Sequence, residues 1–188
     1  MELRLLDTNQ VGKLYKEHMV FDFPKDELKP LAMILKAIEE DRYEPLGLFD
    51  GEGLIGYVFV VKLGNDYLVD YLATFPEYRN KGKGANLLGL LDEYLKDANS
   101  IIGEVEDPLY TLDEEVAALQ ERRINFYKRN SCKDTGVRVE CFGVKYIVLE
   151  TGKGKGHSTE EVWQLYESFY RSLLPEDKFI KNIKRETT

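Results

Sequence analysis

Leu72-Ala73-Thr74-Phe75-Pro76-Glu77-Tyr78-Arg79-Asn80-Lys81-Gly82-Lys83-Gly84-Ala85 is the stretch on which the fold turns. Before it, Tyr67 to Ala73 reads as a strand that follows the turn-forming Gly64-Asn65-Asp66. After it, Leu87, Leu88, Leu91, Tyr94 and Leu95 recur on one face of a helix beginning near Gly82. A Gly-containing turn between strand and helix can aim backbone N–H groups at one spot, beside the positive end of the helix dipole, and so bind an anion. Gly82 and Gly84 lack a Cβ and let phosphates approach the main chain, while Arg79, Lys81 and Lys83 add charge opposite a diphosphate. The stretch has neither the Lys-Ser/Thr ending of a nucleoside-triphosphatase loop nor the spacing of a dinucleotide fingerprint, which excludes both. On the residues alone, an ordinary strand-to-helix turn with solvated lysines is the competing reading.

Toward the N-terminus, Pro45 to Phe49 and Leu54 to Val61 read as strands joined by Asp50-Gly51-Glu52-Gly53, so three consecutive antiparallel strands are expected. Glu2 to Leu6 is a short strand. Asp7 or Thr8 caps a helix carrying Val11, Leu14, Tyr15 and Met19, which Pro24 interrupts. Leu28, Leu31, Leu35 and Ile38 predict a second helix from about Lys25 to Glu40. Toward the C-terminus, Ile101 to Glu106 is a strand, and the helical connection before it is long enough to set it parallel to its predecessor. Thr111-Leu112-Asp113-Glu114 resembles a capping box, with a helical stripe of Val116, Leu119, Arg123 and Phe126 running toward Asn130. Val137 to Cys141 and Lys145 to Glu150 form a hairpin around Gly143. Gly152 to Gly156 reads as a Gly/Lys linker, and Ser158-Thr159-Glu160-Glu161 caps a last helix with Val162, Leu165, Tyr166, Phe169 and Leu173 on one side. The fold class is therefore α/β (α+β layered), with a mixed, mostly antiparallel central sheet. Residues 1–150 form the main domain, and 151–188 add the linker and a C-terminal helix packed on it.

The 188 residues carry 26 Lys+Arg and 34 Asp+Glu, a net charge of −8. A chain of this length buries roughly 70% of its unfolded surface, and a negative surface repels phosphate backbones, so no nucleic-acid partner is expected. The most apolar run, Leu54 to Val61, is far shorter than the about 20 residues that span a membrane. The N-terminus lacks the pattern of a signal peptide. Cys132 and Cys141 are too few for a disulfide framework or a four-thiolate zinc site, and no His/Cys/Asp/Glu spacing suggests a metal. A cytoplasmic protein with reduced thiols is the expectation.

Arg79-Asn80-Lys81-Gly82-Lys83-Gly84, after a strand ending in Leu72-Ala73 and followed by Pro76, resembles the Arg/Gln-x-x-Gly-x-Gly/Ala signature of the GNAT superfamily of acyl-CoA-dependent N-acyltransferases. The resemblance extends over the element order from about Met1 to Glu150. It implies acetyl-CoA as co-substrate, with the backbones of Leu72 and Thr74 pairing with pantetheine beside a strand bulge. Arg79 and the amides of Asn80, Lys81, Gly82, Lys83, Gly84 and Ala85 would hold the pyrophosphate. It also implies that Ile101 to Glu106 splays from its parallel neighbour, with helices on both faces of the sheet.

Family members often carry Asn-x-x-Ala-x-x-Phe-Tyr on the next helix, where this chain has Gln120-Glu121-Arg122-Arg123-Ile124-Asn125-Phe126-Tyr127. The Phe-Tyr pair is retained, with Gln120 for Asn and Arg123 for the small Ala. By resemblance, Tyr127 protonates the departing thiolate, and a helix tyrosine packed on the sheet is its alternative. The acceptor amine must lose a proton before attack, and Glu106 and then Glu104, on one face of their strand, are the candidate bases. Asp107 follows where the chain leaves the sheet, and solvated carboxylates or a base-free water relay compete with these assignments. His18 could face the acceptor or simply sit at the surface. The implied reaction is direct acetyl transfer to a small-molecule or peptide amine in a ternary complex. The other reading is a non-catalytic acyl-CoA-binding or sensing module. A homodimer through the last helix is a further possibility.

Overall fold

The computed structural model describes residues 1–25, 27–151 and 156–186. Its strands are ordered β1-β2-β3-β4-β5-β7-β6-β8, antiparallel except for β4 beside β5, which gives the mixed α/β sheet that the sequence predicts. The chain divides into two compact units, Met1–Gly64 with Val69–Lys96 and Asn65–Leu68 with Asp97–Thr188.

In the first unit, β1 (Glu2–Leu5) pairs antiparallel with β2 (Tyr43–Asp50), and β2 with β3 (Gly53–Leu63). α1 (Thr8–Leu14) opens on a capping box in which Asp7 Oδ1 accepts from Gln10 N at 2.8 Å and Gln10 Oε1 from Asp7 N at 2.9 Å. It runs through one wide π turn, Tyr15–Met19, into α2 (Val20–Asp22) and ends as Phe23 turns extended ahead of Pro24. α3 spans Leu31–Glu39, so the helix expected from Lys25 starts later. Lys29 shows why, because tertiary bonds take the groups a helix would use. Its N–H donates to Tyr71 Oη (2.8 Å), its carbonyl accepts from Tyr15 Oη (3.1 Å), and its ammonium meets the buried Asp70 at 2.7 Å. Pro30 then disfavours helical backbone at Lys29.

β3 is buried from Ile55 to Val61, more like a central strand than a half-exposed one. Its pairing with β2 slips between Leu48↔Gly56 and Phe49↔Leu54, leaving Ile55 as an extra residue whose carbonyl accepts from Phe75 N at 3.0 Å. Beside this bulge, Gly56 allows β4 (Asp66–Thr74) to lie against it. A Cβ there would sit 2.7 Å from Ala73 O and 3.1 Å from Thr74 Cα. Backbone cannot rotate away as a side chain can, so Gly56→Ala is expected to lower stability by about 1–3 kcal/mol. Urea unfolding followed by circular dichroism reads this as a lower midpoint at unchanged slope. An unmoved midpoint would show that β3 and β4 have slack at this crossing.

In the second unit, β5 (Ser100–Glu106) pairs antiparallel with β7 (Val144–Thr151), β7 with β6 (Cys132–Cys141), and β6 with β8 (Ile183–Arg185). α5 (Glu114–Arg129) packs Ile124 and Tyr127 against Val105, Cys132, Ile147 and Leu149. Its cap is Asp113, which accepts from Glu115 N and Val116 N, and not Thr111. Thr111 N instead donates to Pro108 O and closes the short turn Pro108–Tyr110, which delays the helix. α6 (Thr159–Leu173) begins on the expected Ser158/Glu161 capping box and buries Val162, Tyr166, Phe169 and Tyr170. α7 (Glu176–Asn182) and β8 were not expected from the sequence. β6 begins at Cys132 and not at Val137, because its register with β7 slips between Asp134 and Arg138. There Gly136 takes φ 78° and Thr135 Oγ1 donates to Val148 O at 2.8 Å. The Gly/Lys linker at 152–155 lies outside the described residues.

Candidate functional site

The signature turn lies wholly in the first unit. After β4, Phe75 is extended, Pro76–Tyr78 makes one tight helical turn, and Asn80 and Gly82 adopt left-handed backbone with φ 59° and 74°. α4 (Lys83–Tyr94) follows, and its first helical bond runs from Asn86 N to Gly82 O at 3.1 Å. The N–H groups of Lys83, Gly84 and Ala85 therefore precede the intrahelical ladder. Left-handed residues alternating with ordinary ones turn successive amides inward, and a helix N-terminus adds partial positive charge at the same place. This main-chain arrangement fits a diphosphate.

The side chains are disposed otherwise. Arg79 donates from Nε to Thr74 O (3.0 Å) and from Nη2 to Asp22 Oδ1 (2.6 Å). Asp22, 7% exposed at its side chain, also accepts from Tyr57 Oη at 2.8 Å. Burial pushes the Tyr57 phenol well above its ordinary range, so it serves this network as a permanent donor. Lys83 pairs with Asp50 at 2.9 Å, and this contact holds the Asp50 carboxyl below its usual range. Of the three cations flanking the turn, Lys81 alone is exposed without a partner among the described residues. Leu72 and Thr74 are half-buried at the end of β4, and the Thr74 carbonyl is taken by Arg79. His18, carried by the π turn, stacks on Phe75 at 3.7 Å between ring centroids with 6° between planes. Two contacts thus tie the first helical arm to the base of this turn, one through His18 and one through Asp22.

The remaining candidates lie in the second unit. Tyr127 sits half-buried on α5. Burial pushes its phenol up to about 12, with nearby Cys132 and Glu106 acting in the same direction and the Arg123 guanidinium against it. Arg123 also forms an ion pair with Glu106 at the end of β5. Tyr127, Arg123 and Glu106 are therefore electrostatically coupled on neighbouring elements. Glu104 is engaged elsewhere, accepting from Tyr170 Oη of α6 at 2.9 and 3.1 Å. Asp107, 5% exposed, caps the turn after β5 by accepting from Leu109 N at 3.1 Å. The pairing of Arg123 with Glu106 does not follow from the sequence pattern of either element. The signal available for Arg123 is its place one helical turn before Tyr127, where the family carries a small residue. Among the described residues no cluster of three or more His, Cys, Asp or Glu is placed to hold a metal, and no helix is long and apolar enough to cross a membrane.

Residues 9–130 match the sequence model of the acetyltransferase (GNAT) family. Curated protein sequences give no match. Among solved structures, a putative acetyltransferase from the GNAT family of Bacteroides thetaiotaomicron is 25% identical, with 92% of this chain and 96% of that one covered at a TM-score of 0.70. Spermidine N-acetyltransferase from Vibrio cholerae, in complex with CoA and spermine, is 15% identical over 79% and 92% of the two chains, with a TM-score of 0.59. An aminoglycoside 6'-N-acetyltransferase complexed with coenzyme A is 16% identical over 80% and 96%, with a TM-score of 0.57. The family match spans most of the chain, from the first helix through the Arg79–Gly84 turn to the end of α5, and on it the chain belongs to the GNAT acetyltransferase family.

Proposed function

We propose that the protein transfers the acetyl group of acetyl-CoA to a primary amine by direct attack in a ternary complex. The observation that carries this reading is the turn at Asn80 and Gly82, whose left-handed backbone delivers free helix-start amides to one point. The amides of residues 80–85 would hold the pyrophosphate, with the main chain at Leu72 and Thr74 beside the pantetheine arm. When bound, acetyl-CoA supplies the activated thioester carbonyl.

The chain's own contribution is proton handling and position. Glu106, paired with Arg123, is the group that would take a proton from the incoming ammonium at a carboxylate oxygen. Tyr127, protonated throughout the physiological range, would offer the Oη proton to the leaving sulfur. Arg79 acts here as a positioning residue, holding the start of the turn against Asp22 and Thr74 and leaving phosphate binding to amides. Glu104, hydrogen-bonded to Tyr170, is the secondary base candidate.

Release of free CoA thiol from acetyl-CoA, followed across a panel of primary amines, tests the function. Turnover with at least one amine is expected. Thermal stabilisation by acetyl-CoA with no turnover on any amine would instead favour a binding or sensing module, and absence of both would remove the coenzyme from the account.

A further inference from the structure

A cavity of about 190 Å³ opens in the second unit, where the end of β5 meets the β6–β7 turn and the first half of α5. Glu106, Asp107, Tyr110, Gln120 and Lys145 line it. It is smaller than the about 300–1,000 Å³ of pockets that enclose whole drug-sized ligands, so it suits one small polar group. Its lining cation Lys145 and the nearby arginines are already paired. Lys145 binds Glu140 at 2.7 Å and Glu186 at 2.6 Å and lies 5.6 Å from the Tyr110 ring centroid, while Arg123 is taken by Glu106. Arg138 makes its close contacts with Asp134.

Its acceptors are not satisfied to the same degree. Gln120 is 7% exposed, and its Oε1 is buried with no hydrogen-bond partner among the described residues. Asp107, 5% exposed, spends Oδ1 on Leu109 N, while Oδ2 stands 3.8 Å from Arg138 Nε, beyond hydrogen-bond reach. A buried amide oxygen without a donor is costly for the protein alone, and a ligand bringing N–H groups removes that cost while also reaching the Asp107 oxygen that has no close donor. A cationic N–H group answers both needs, because it donates to each oxygen and opposes the carboxylate charge.

We infer that this cavity binds a second, non-reacting ammonium of the acceptor, through Gln120 Oε1 and Asp107 Oδ2, so that the preferred acceptor is an amine carrying a further cationic N–H group. The inference rests on the acetyl-transfer reading, in which Glu106 on the cavity wall receives the proton of the reacting amine. It differs from attraction by bulk negative charge, since Glu106 and Asp107 each face a guanidinium and the selectivity comes from unfilled hydrogen bonds.

The test compares 1,4-diaminobutane with n-butylamine, which present the same primary amine with and without a second ammonium. In the unmodified protein kcat/KM should favour the diamine by on the order of 10- to 100-fold, as charge-assisted hydrogen bonds allow. Gln120→Leu keeps the packing volume and removes the acceptor, and Asp107→Asn removes the charge, so each should bring the ratio of the two amines toward one. The diamine alone should also raise the melting temperature, and Gln120→Leu should abolish that rise. Turnover of both amines without preference, or a preference that survives both substitutions, overturns the site and leaves the transferase reading standing. Stabilisation by the diamine that vanishes in Gln120→Leu, with no turnover of either amine, supports the site and counts against acetyl transfer.

Discussion

Tyr127→Phe lowers kcat by about 10²–10⁴-fold, the range a positioned general acid contributes, while the affinity for acetyl-CoA stays close to that of the unmodified protein. The ring still packs on Val105, Ile147 and Leu149, so the fold should be retained and only the Oη proton is lost. The direction of the phenol's shift adds a second expectation. Its acidic form is neutral, and burial pushes the phenol from its ordinary value near 10 up to about 12. The proton is therefore held fully below pH 10 and lost only as pH rises through about 12. The defect of the variant should then be equally deep at pH 7 and pH 9, and an alkaline limb in the kcat profile of the unmodified enzyme should survive in Tyr127→Phe. Stopped-flow or steady-state thiol release over that range measures both. A variant with unmodified kcat would mean that the thiolate leaves unprotonated or draws its proton from another group.

The parts of the fold legible in the sequence are those fixed by local chemistry. Ser158 and Glu161 form the predicted capping box because both partners lie within one turn, and the strand at Ile101 to Glu106 appears within one residue because its apolar run is bounded by polar turns. What escaped is what distant residues decide. The helix expected from Lys25 gives way at Lys29 to Tyr15, Asp70 and Tyr71, none of them a neighbour in sequence. β8, the three residues Ile183–Arg185, has no pattern of its own and exists because the edge of β6 offers it unpaired groups at Val139 and Cys141.

The candidate site divides in the same way. Positive φ at Gly82 could be anticipated from a glycine between strand and helix, but the same conformation at Asn80 could not, and together they aim the amides. Counting Arg79 and Lys83 as phosphate charges is natural from spacing alone. In the fold Asp22 and Asp50 claim them, from positions 57 and 33 residues away. Likewise Glu104 and Glu106 alternate onto one face, yet one meets α6 and the other α5, a distinction set by helix packing and invisible to strand period. Sequence therefore indicates which residue types gather near the site more surely than which of them are available to a ligand.

Gly84→Val is expected to weaken coenzyme A binding by about 10- to 100-fold, in line with the loss of charge-assisted bonds between amides and phosphate, and to leave the protein folded. The two effects should run in opposite directions. Gly84 lies within the first turn of α4, where glycine is a poor helix former and valine a better one by a few tenths of a kcal/mol, so the substitution should not reduce stability. Its branched side chain would nonetheless stand where the phosphates approach the main chain. Gly82 is a less clean probe, because its φ of 74° makes any side chain there costly to folding itself. Arg79→Gln supplies the contrast. Since both donors of Arg79 resolved in the structure are directed at Thr74 O and Asp22, its replacement should cost markedly less affinity than Gly84→Val and should leave the salt dependence of binding nearly unchanged. Titration calorimetry with coenzyme A at two salt concentrations, paired with urea unfolding of each variant, reads all of this. Unaltered affinity in a folded Gly84→Val protein would remove the turn from coenzyme binding. A loss in Arg79→Gln as large as that in Gly84→Val, together with a shallower salt dependence, would instead make the guanidinium itself the phosphate ligand, released from Asp22 when the coenzyme arrives.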